Sequence, residues 1–231
     1  MTNAIQNFFA TPLKRAADGR EFRIDRTSLQ LKEALALRQL VVESGATRTL
    51  EIGLALGASA IAIADALTER GGGLRHTALD PYQRAFGYVG TSEVERLGFK
   101  ERVEILPVCS EDFLHEASKA GRRFDFIFHD GGHTIGQKVA DAFYADRCLG
   151  LGGIIAFHDA FLQSTAACVK YLVQERAYEL ISLPPDSAAK RLARSVRYGV
   201  MHGRWYGLQV VPRTCRSLVA LRKTAQSVAA E

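Results

Sequence analysis

The sequence predicts an α/β fold built on a parallel sheet with crossover helices. Short apolar runs alternate with helix-length segments from residue 28 to residue 160. The runs stop at glycine, proline or polar residues, as strands do where they feed a helix. Composition agrees: 47% hydrophobic and 24% charged residues describe a globular chain, and no apolar run approaches the roughly 20 residues of a membrane span.

Residues 1–27 read as an N-terminal extension, helical or partly ordered, that covers the site or an oligomer interface. Residues 28–231 read as one domain. SLQLKEALALRQLVVES (28–44) has helical spacing, with Ser28 as its cap and Gly45 as its end. TLEIG (49–53) is the first strand, and SAIAIADALTER (59–70) is a helix closed by Gly71-Gly72-Gly73. RHTALDP (75–81) is a strand stopped by Pro81, and a helix covers 91–97. RVEILPV (102–108) is the third strand, and EDFLHEASKAG is a short helix. FDFIFHD (124–130), the helix at 134–149 and GGIIAFHDA (152–160) follow. Further on, 165–177 reads as helix and YELISL (178–183) as strand. A long basic, irregular stretch leads to GLQVVPR (207–213) as the last strand, then a helix at 214–229.

Four scattered cysteines without a CxxC pair, and an N-terminus lacking the basic-then-apolar layout of a secretory signal, point to a reducing, cytoplasmic setting. The net charge of +5 is uneven, because nine Lys and Arg face two Asp and Glu from Pro184 onward. Such a region meets nucleic acid, an anionic small molecule or a membrane surface, or is simply a solvated face. Its basic residues are not interleaved with enough aromatics for a base-stacking platform.

Ligands of an open parallel sheet bind beyond the carboxyl ends of its strands. The first strand ends in Glu51-Ile-Gly53-Leu-Ala-Leu-Gly57-Ala-Ser59. Gly53 permits a sharp turn and Gly57 a close helix, and free N–H groups there suit a carboxylate or phosphate. The spacing is G-x-x-x-G, neither the dinucleotide G-x-G-x-x-G nor a P-loop. Glu51 would repel pyrophosphate but accept an ammonium group. Asp80, ending the second strand, is placed to accept both ribose hydroxyls. Ser110, after the third strand, can meet an adenine edge. Together these describe S-adenosylmethionine (SAM).

The ordered series EIGLALGAS, LDP, VCSEDF, FDFIFHDGGH and GGIIAFHD resembles the class I SAM-dependent methyltransferases. Within them it is most similar to the small-molecule O-methyltransferases, the catechol, caffeoyl-CoA and macrolide-sugar group. The resemblance covers residues 45–160, with a tail to 213. It implies a Rossmann-like seven-stranded, mostly parallel sheet with helices on both faces and the last strand antiparallel. Where the family often has Gly-Asp-Ser, this chain has Val108-Cys109-Ser110, which leaves Ser110 as the adenine candidate.

Two strands end on His-Asp. Asp130 and Asp159 offer hard oxygen ligands from neighbouring strand ends, which suits Mg²⁺ and a substrate hydroxyl whose pKa the ion would lower. Asp130 also stands where it would face the cofactor. His133, past a Gly-Gly bend, is a candidate general base, since imidazole titrates near about 6.5; a loop histidine that binds or shields is the alternative. In metal-dependent members the matching acids bind metal, and acid-x-x-His places a base in some sugar enzymes. His158 stands where the family usually has an acid, so the ion is Mn²⁺, Fe²⁺ or Zn²⁺ in place of Mg²⁺, or His158 orients substrate, or no metal is used. Asp130 and Asp159 as mere loop caps is the plainer reading. His76 is expected at the surface, and Tyr206 in the core or on the substrate side.

The expected reaction is O-methylation of a small hydroxylated molecule by an enzyme without membrane partners that can form a homo-oligomer. A nucleic-acid or protein methyltransferase on the same fold is the alternative that the basic tail motivates, although strand four ends in HDGGH where base-amino enzymes carry Asn-Pro-Pro-Tyr. A non-catalytic nucleoside- or NAD-binding protein lacks its glycine fingerprint.

Overall fold

The computed structural model describes residues 3–71, 73, 75–184 and 187–225. They fall into two compact units, Met1–Phe113 and Leu114–Glu231. Seven strands form the main sheet, in the order β5-β4-β3 in the first unit and β6-β7-β9-β8 in the second.

The first unit opens with helix α1 (Asn3–Phe9), a hairpin of β1 (Leu13–Arg15) and β2 (Glu21–Arg23), and one turn, α2 (Ile24–Thr27). Ile5 and Phe8 of α1 are fully buried in the same core as Leu54, Leu56 and Ile61. The N-terminal segment therefore contributes core side chains. Helix α3 (Leu31–Ser44) begins two residues later than Ser28 capping would give. Its cap is Gln30, which exchanges a capping box with Glu33. Gly45 ends it in a left-handed conformation. Strand β3 (Arg48–Ile52), helix α4 (Ala58–Arg70), strand β4 (Arg75–Leu79), helix α5 (Val89–Arg96), strand β5 (Val103–Leu106) and helix α6 (Ser110–Lys119) follow. Both strand pairs, β3–β4 and β4–β5, are parallel.

The second unit runs β6 (Phe124–His129), α7 (Ile135–Cys148), β7 (Leu149–Phe157), α8 (Gln163–Glu175), β8 (Tyr178–Ile181), α9 (Ala188–His202) and β9 (Val219–Lys223). β6 and β7 are parallel, while β9 lies antiparallel between β7 and β8. Phe126, Phe128, Ile155 and Phe157 fill the buried centre of this half.

Three C-terminal expectations fail. Residues 207–213 are not a strand: Tyr206–Val210 form a π turn and Val211–Arg213 a 3₁₀ turn. Pro212 cannot donate to a central ladder, and Gly207 packs so close to Gly199 that a Cβ would meet that residue's Cα at 2.6 Å. The last strand is instead VALRK at 219–223, inside the segment expected to be helix; the remainder of that expectation, 226–229, lies outside the described residues. Alanine, leucine, arginine and lysine favour a helix locally, but two strand edges claim this segment. The basic stretch, expected to be irregular, is the 15-residue helix α9. Its apolar residues Leu192, Val196 and Val200 recur at helical spacing but are exposed, so this stripe does not face the core. Among the described residues no helix is long and apolar enough to cross a membrane.

Candidate active site

The first unit shapes a turn after β3. Gly53 (φ 91°) and Gly57 (φ 89°) both occupy the left-handed region that favours glycine. Gly57 is the N-cap of α4 and closes the turn by donating to Leu54 O at 2.8 Å. A side chain on Gly57 would press on Gly90 O at 3.1 Å, so helix α5 also limits this corner.

Asp80, at the end of β4, clamps the turn. Its Oδ2 accepts from Leu54 N (3.2 Å), Ala55 N (2.9 Å) and Gln83 Nε2 (2.7 Å), and its Oδ1 from Tyr82 N (2.8 Å). Oδ1, with one such bond against three on Oδ2, keeps accepting capacity. Gln83, which donates also to Ala55 O at 2.9 Å, was not legible as a site residue.

Glu51 is fully buried and already engaged. Ser59 donates its hydroxyl to Oε1, and His76 Nε2 lies 3.1 Å from Oε2. Thr49 completes the chain, with Oγ1 at 3.0 Å from His76 Nδ1. His76 is thus not a surface residue: it is fully buried. The reason is register, since Thr49 pairs with His76 across β3 and β4 and places the ring beside Glu51. Glu51 and Ser59, both expected to touch the cofactor, are brought together and bonded to each other. Ser110 is the buried first residue of α6, its hydroxyl 3.3 Å from Glu111 Oε2.

The second unit brings together the residues that end β6 and β7. Asp130, His158 and Asp159 each offer one ligand atom, and these atoms lie within 4.8 Å of one another. His158 Nδ1 stands 3.2 Å from Asp130 Oδ1 and 3.5 Å from Asp159 Oδ1. His158 N donates to His129 O at 3.1 Å, which ties the two strand ends. Asp159 has φ 52°, in the left-handed region that aspartate enters more readily than most residues with a side chain.

The His158 ring is held from behind by Ser217, whose Oγ lies 3.1 Å from Nε2. A nitrogen facing two carboxylates carries a proton or gives its lone pair to a cation. The Ser217 hydroxyl serves both cases, because it can donate to Nε2 or accept from it. Two carboxylates and one imidazole therefore fit a divalent ion, with Nδ1 as the ligating nitrogen.

His133 sits nearby, Nδ1 3.8 Å from Asp159 Oδ2, and is mostly exposed. His129 turns the other way: it is fully buried, its Nε2 2.9 Å from Asp141 Oδ2. Lys138 of α7 was missed. It is fully buried and donates to Thr165 Oγ1 at 2.9 Å. Burial lowers its pKa from the ordinary lysine value, while the charges of Asp130 and Asp159 pull the other way. Nothing in its helical context distinguishes it from a solvated lysine. Tyr206 is buried, with its hydroxyl given to Ala160 O.

Residues 50–160 match a family described as a methyltransferase domain. The chain is 29% identical over 171 residues to tricin synthase 1 from Oryza sativa subsp. japonica; the match spans 70% of this chain and 58% of that protein, so less than two thirds of the relative's length is represented. An O-methyltransferase from Bacillus cereus, solved in complex with SAH, superposes with a TM-score of 0.63 at 18% identity, covering 85% of this chain and 83% of that one. The O-methyltransferase TomG from Streptomyces achromogenes, solved in complex with SAM, gives 0.64 at 16% identity over 97% and 89%. At such identities these structures establish the fold alone.

Proposed function

We propose that this chain transfers a methyl group from SAM to a hydroxyl of a small molecule, with a divalent metal and a histidine base. The observation that carries the reading is the convergence of Asp130, His158 and Asp159 beyond the carboxyl ends of β6 and β7. The printed names of the relatives above, a tricin synthase and two O-methyltransferases, support the choice of oxygen as acceptor.

The turn at Gly53–Gly57 holds SAM in this reading. Asp80 Oδ1 takes a ribose hydroxyl, and Ser110 meets the adenine. The buried Glu51–Ser59–His76 chain keeps the turn in shape and puts negative charge beneath the ammonium group. Asp130, His158 and Asp159 hold the ion, which supplies Lewis acidity to the acceptor hydroxyl when bound. Ser217 fixes the His158 ring. His133 takes the proton of the acceptor hydroxyl as the new C–O bond forms and the methyl–sulfur bond breaks. The sulfonium is already an activated leaving group, so the chain's main contribution is positioning. The free cysteines support a reducing, cytoplasmic setting.

Calorimetric titration with SAM tests the cofactor assignment, and transfer of a labelled methyl group to a hydroxylated acceptor tests the reaction. Absence of SAM binding at millimolar concentration would end the reading.

A further inference from the structure

A cavity of about 440 Å³ in the second unit is lined by Phe161, Lys190, Ala193, Arg194, Arg216 and Ser217. Three of these residues are cations and none is an acid. The floor is aromatic: Phe161 stacks on Tyr198 at 4.1 Å and 10°, and the Arg194 guanidinium lies 5.6 Å from the Phe161 ring centroid. Arg194 is held in place by donating to Arg216 O at 2.9 Å.

One turn joins this cavity to the acid cluster. Cys215 and Leu218 exchange backbone hydrogen bonds of 3.0 and 2.9 Å, leaving Arg216 and Ser217 at the centre of a tight reversal. Arg216 adopts φ 55° there, a left-handed conformation that arginine seldom takes. Its neighbour Ser217 meets His158 Nε2 at 3.1 Å and accepts from Ala160 N at 2.8 Å through its carbonyl. Adjacent residues of one turn thus line a cationic cavity and orient a candidate metal ligand.

We propose that this cavity binds the acceptor molecule and selects one that carries an anionic group, a carboxylate or a phosphate, beside its hydroxyl. The inference rests on the O-methyltransferase reading and adds the substrate class. Lys190 and Arg216 meet the anion, Arg194 supplies further positive charge, and Phe161 contacts the apolar body. Ser217 then couples acceptor binding to the His158 ring. The position of these cations in the basic C-terminal quarter assigns that charge to a small anion.

The test is calorimetric titration of the whole chain with three probes: 3,4-dihydroxybenzoate, its neutral methyl ester, and 3,4-dihydroxybenzylphosphonate. Lys190→Gln and Arg216→Asn are the variants; asparagine tolerates the left-handed position, and Lys190 is an exposed helix residue. At least one anion is expected to bind roughly tenfold more tightly than the ester, and each substitution to remove most of that preference. Preference for the carboxylate or for the phosphonate identifies the source of the charge. Equal affinities for ester and anions, no anion binding at millimolar concentration, or variants that keep the preference would each overturn the proposal. Methyl transfer to the neutral ester and SAM titration read the enzyme assignment separately, so a chain that methylates the ester but ignores anions keeps its function and loses this pocket.

Discussion

Nδ1 of His158 lies 3.2 Å from Oδ1 of Asp130. With Asp159 Oδ1 at 3.5 Å on the same nitrogen, the ring faces two carboxylates, and a proton or a cation can stand between them. Mn²⁺ or Mg²⁺ is expected to raise thermal stability, by about 2.7 kcal/mol at a hundredfold excess over its dissociation constant. Asp130→Asn and Asp159→Asn should each abolish the shift. An unchanged melting curve in wild type with both ions, together with full activity in chelator, would remove the metal from the mechanism.

Lys138 lies buried in the field of the same two acids. Lys138→Met takes away a positive charge that competes with a divalent ion, so metal affinity should rise several-fold. Weaker metal binding in this variant would mean that the lysine props the acids and does not oppose the ion.

His133 approaches Asp159 at 3.8 Å, longer than a hydrogen bond, and its exposure leaves it open to an incoming hydroxyl. His133→Ala is expected to lower kcat by roughly 10²–10⁴-fold with SAM affinity intact. Activity of the variant that recovers with added imidazole would support a proton-transfer role. An unaltered kcat would leave His133 as a loop residue.

Glu51, Ser59 and His76 form one buried chain, so loss of Ser59 or His76 takes one hydrogen-bond partner from a carboxylate held away from water. Ser59→Ala and His76→Phe should each cost about 1–3 kcal/mol in urea unfolding, with SAM affinity falling as the turn loosens. A Ser59→Ala variant of normal stability but poor SAM affinity would show instead that the hydroxyl touches the cofactor.

Cys168 is fully buried, and desolvation pushes its thiol up to about 12 from 9.0. The folded state keeps the proton that the unfolded chain releases first. The contribution to stability is therefore complete below 9.0 and is lost as pH rises toward about 12. Unfolding free energies of wild type and Cys168→Ala should converge over that window. A constant difference would show that the thiol does not ionise in the unfolded chain as assumed.

The sequence by itself determined the order of strands and helices from α3 through β7, because each buried parallel strand is a local apolar run stopped by a turn residue. It determined the positions of Asp130, His158 and Asp159 for the same reason: a residue at a strand's carboxyl end is recognised from that strand alone. Only the tertiary structure decided what those residues meet. Ser217 reaches His158 across 59 residues of chain, and no local pattern encodes that contact. His76 was misplaced because its burial comes from its register against Thr49. The final strand was misplaced because VALRK is helix-prone in isolation and becomes a strand between β7 and β8. Apolar periodicity is a short-range signal, while hydrogen-bond partners and sheet neighbours are chosen by residues far away in the chain.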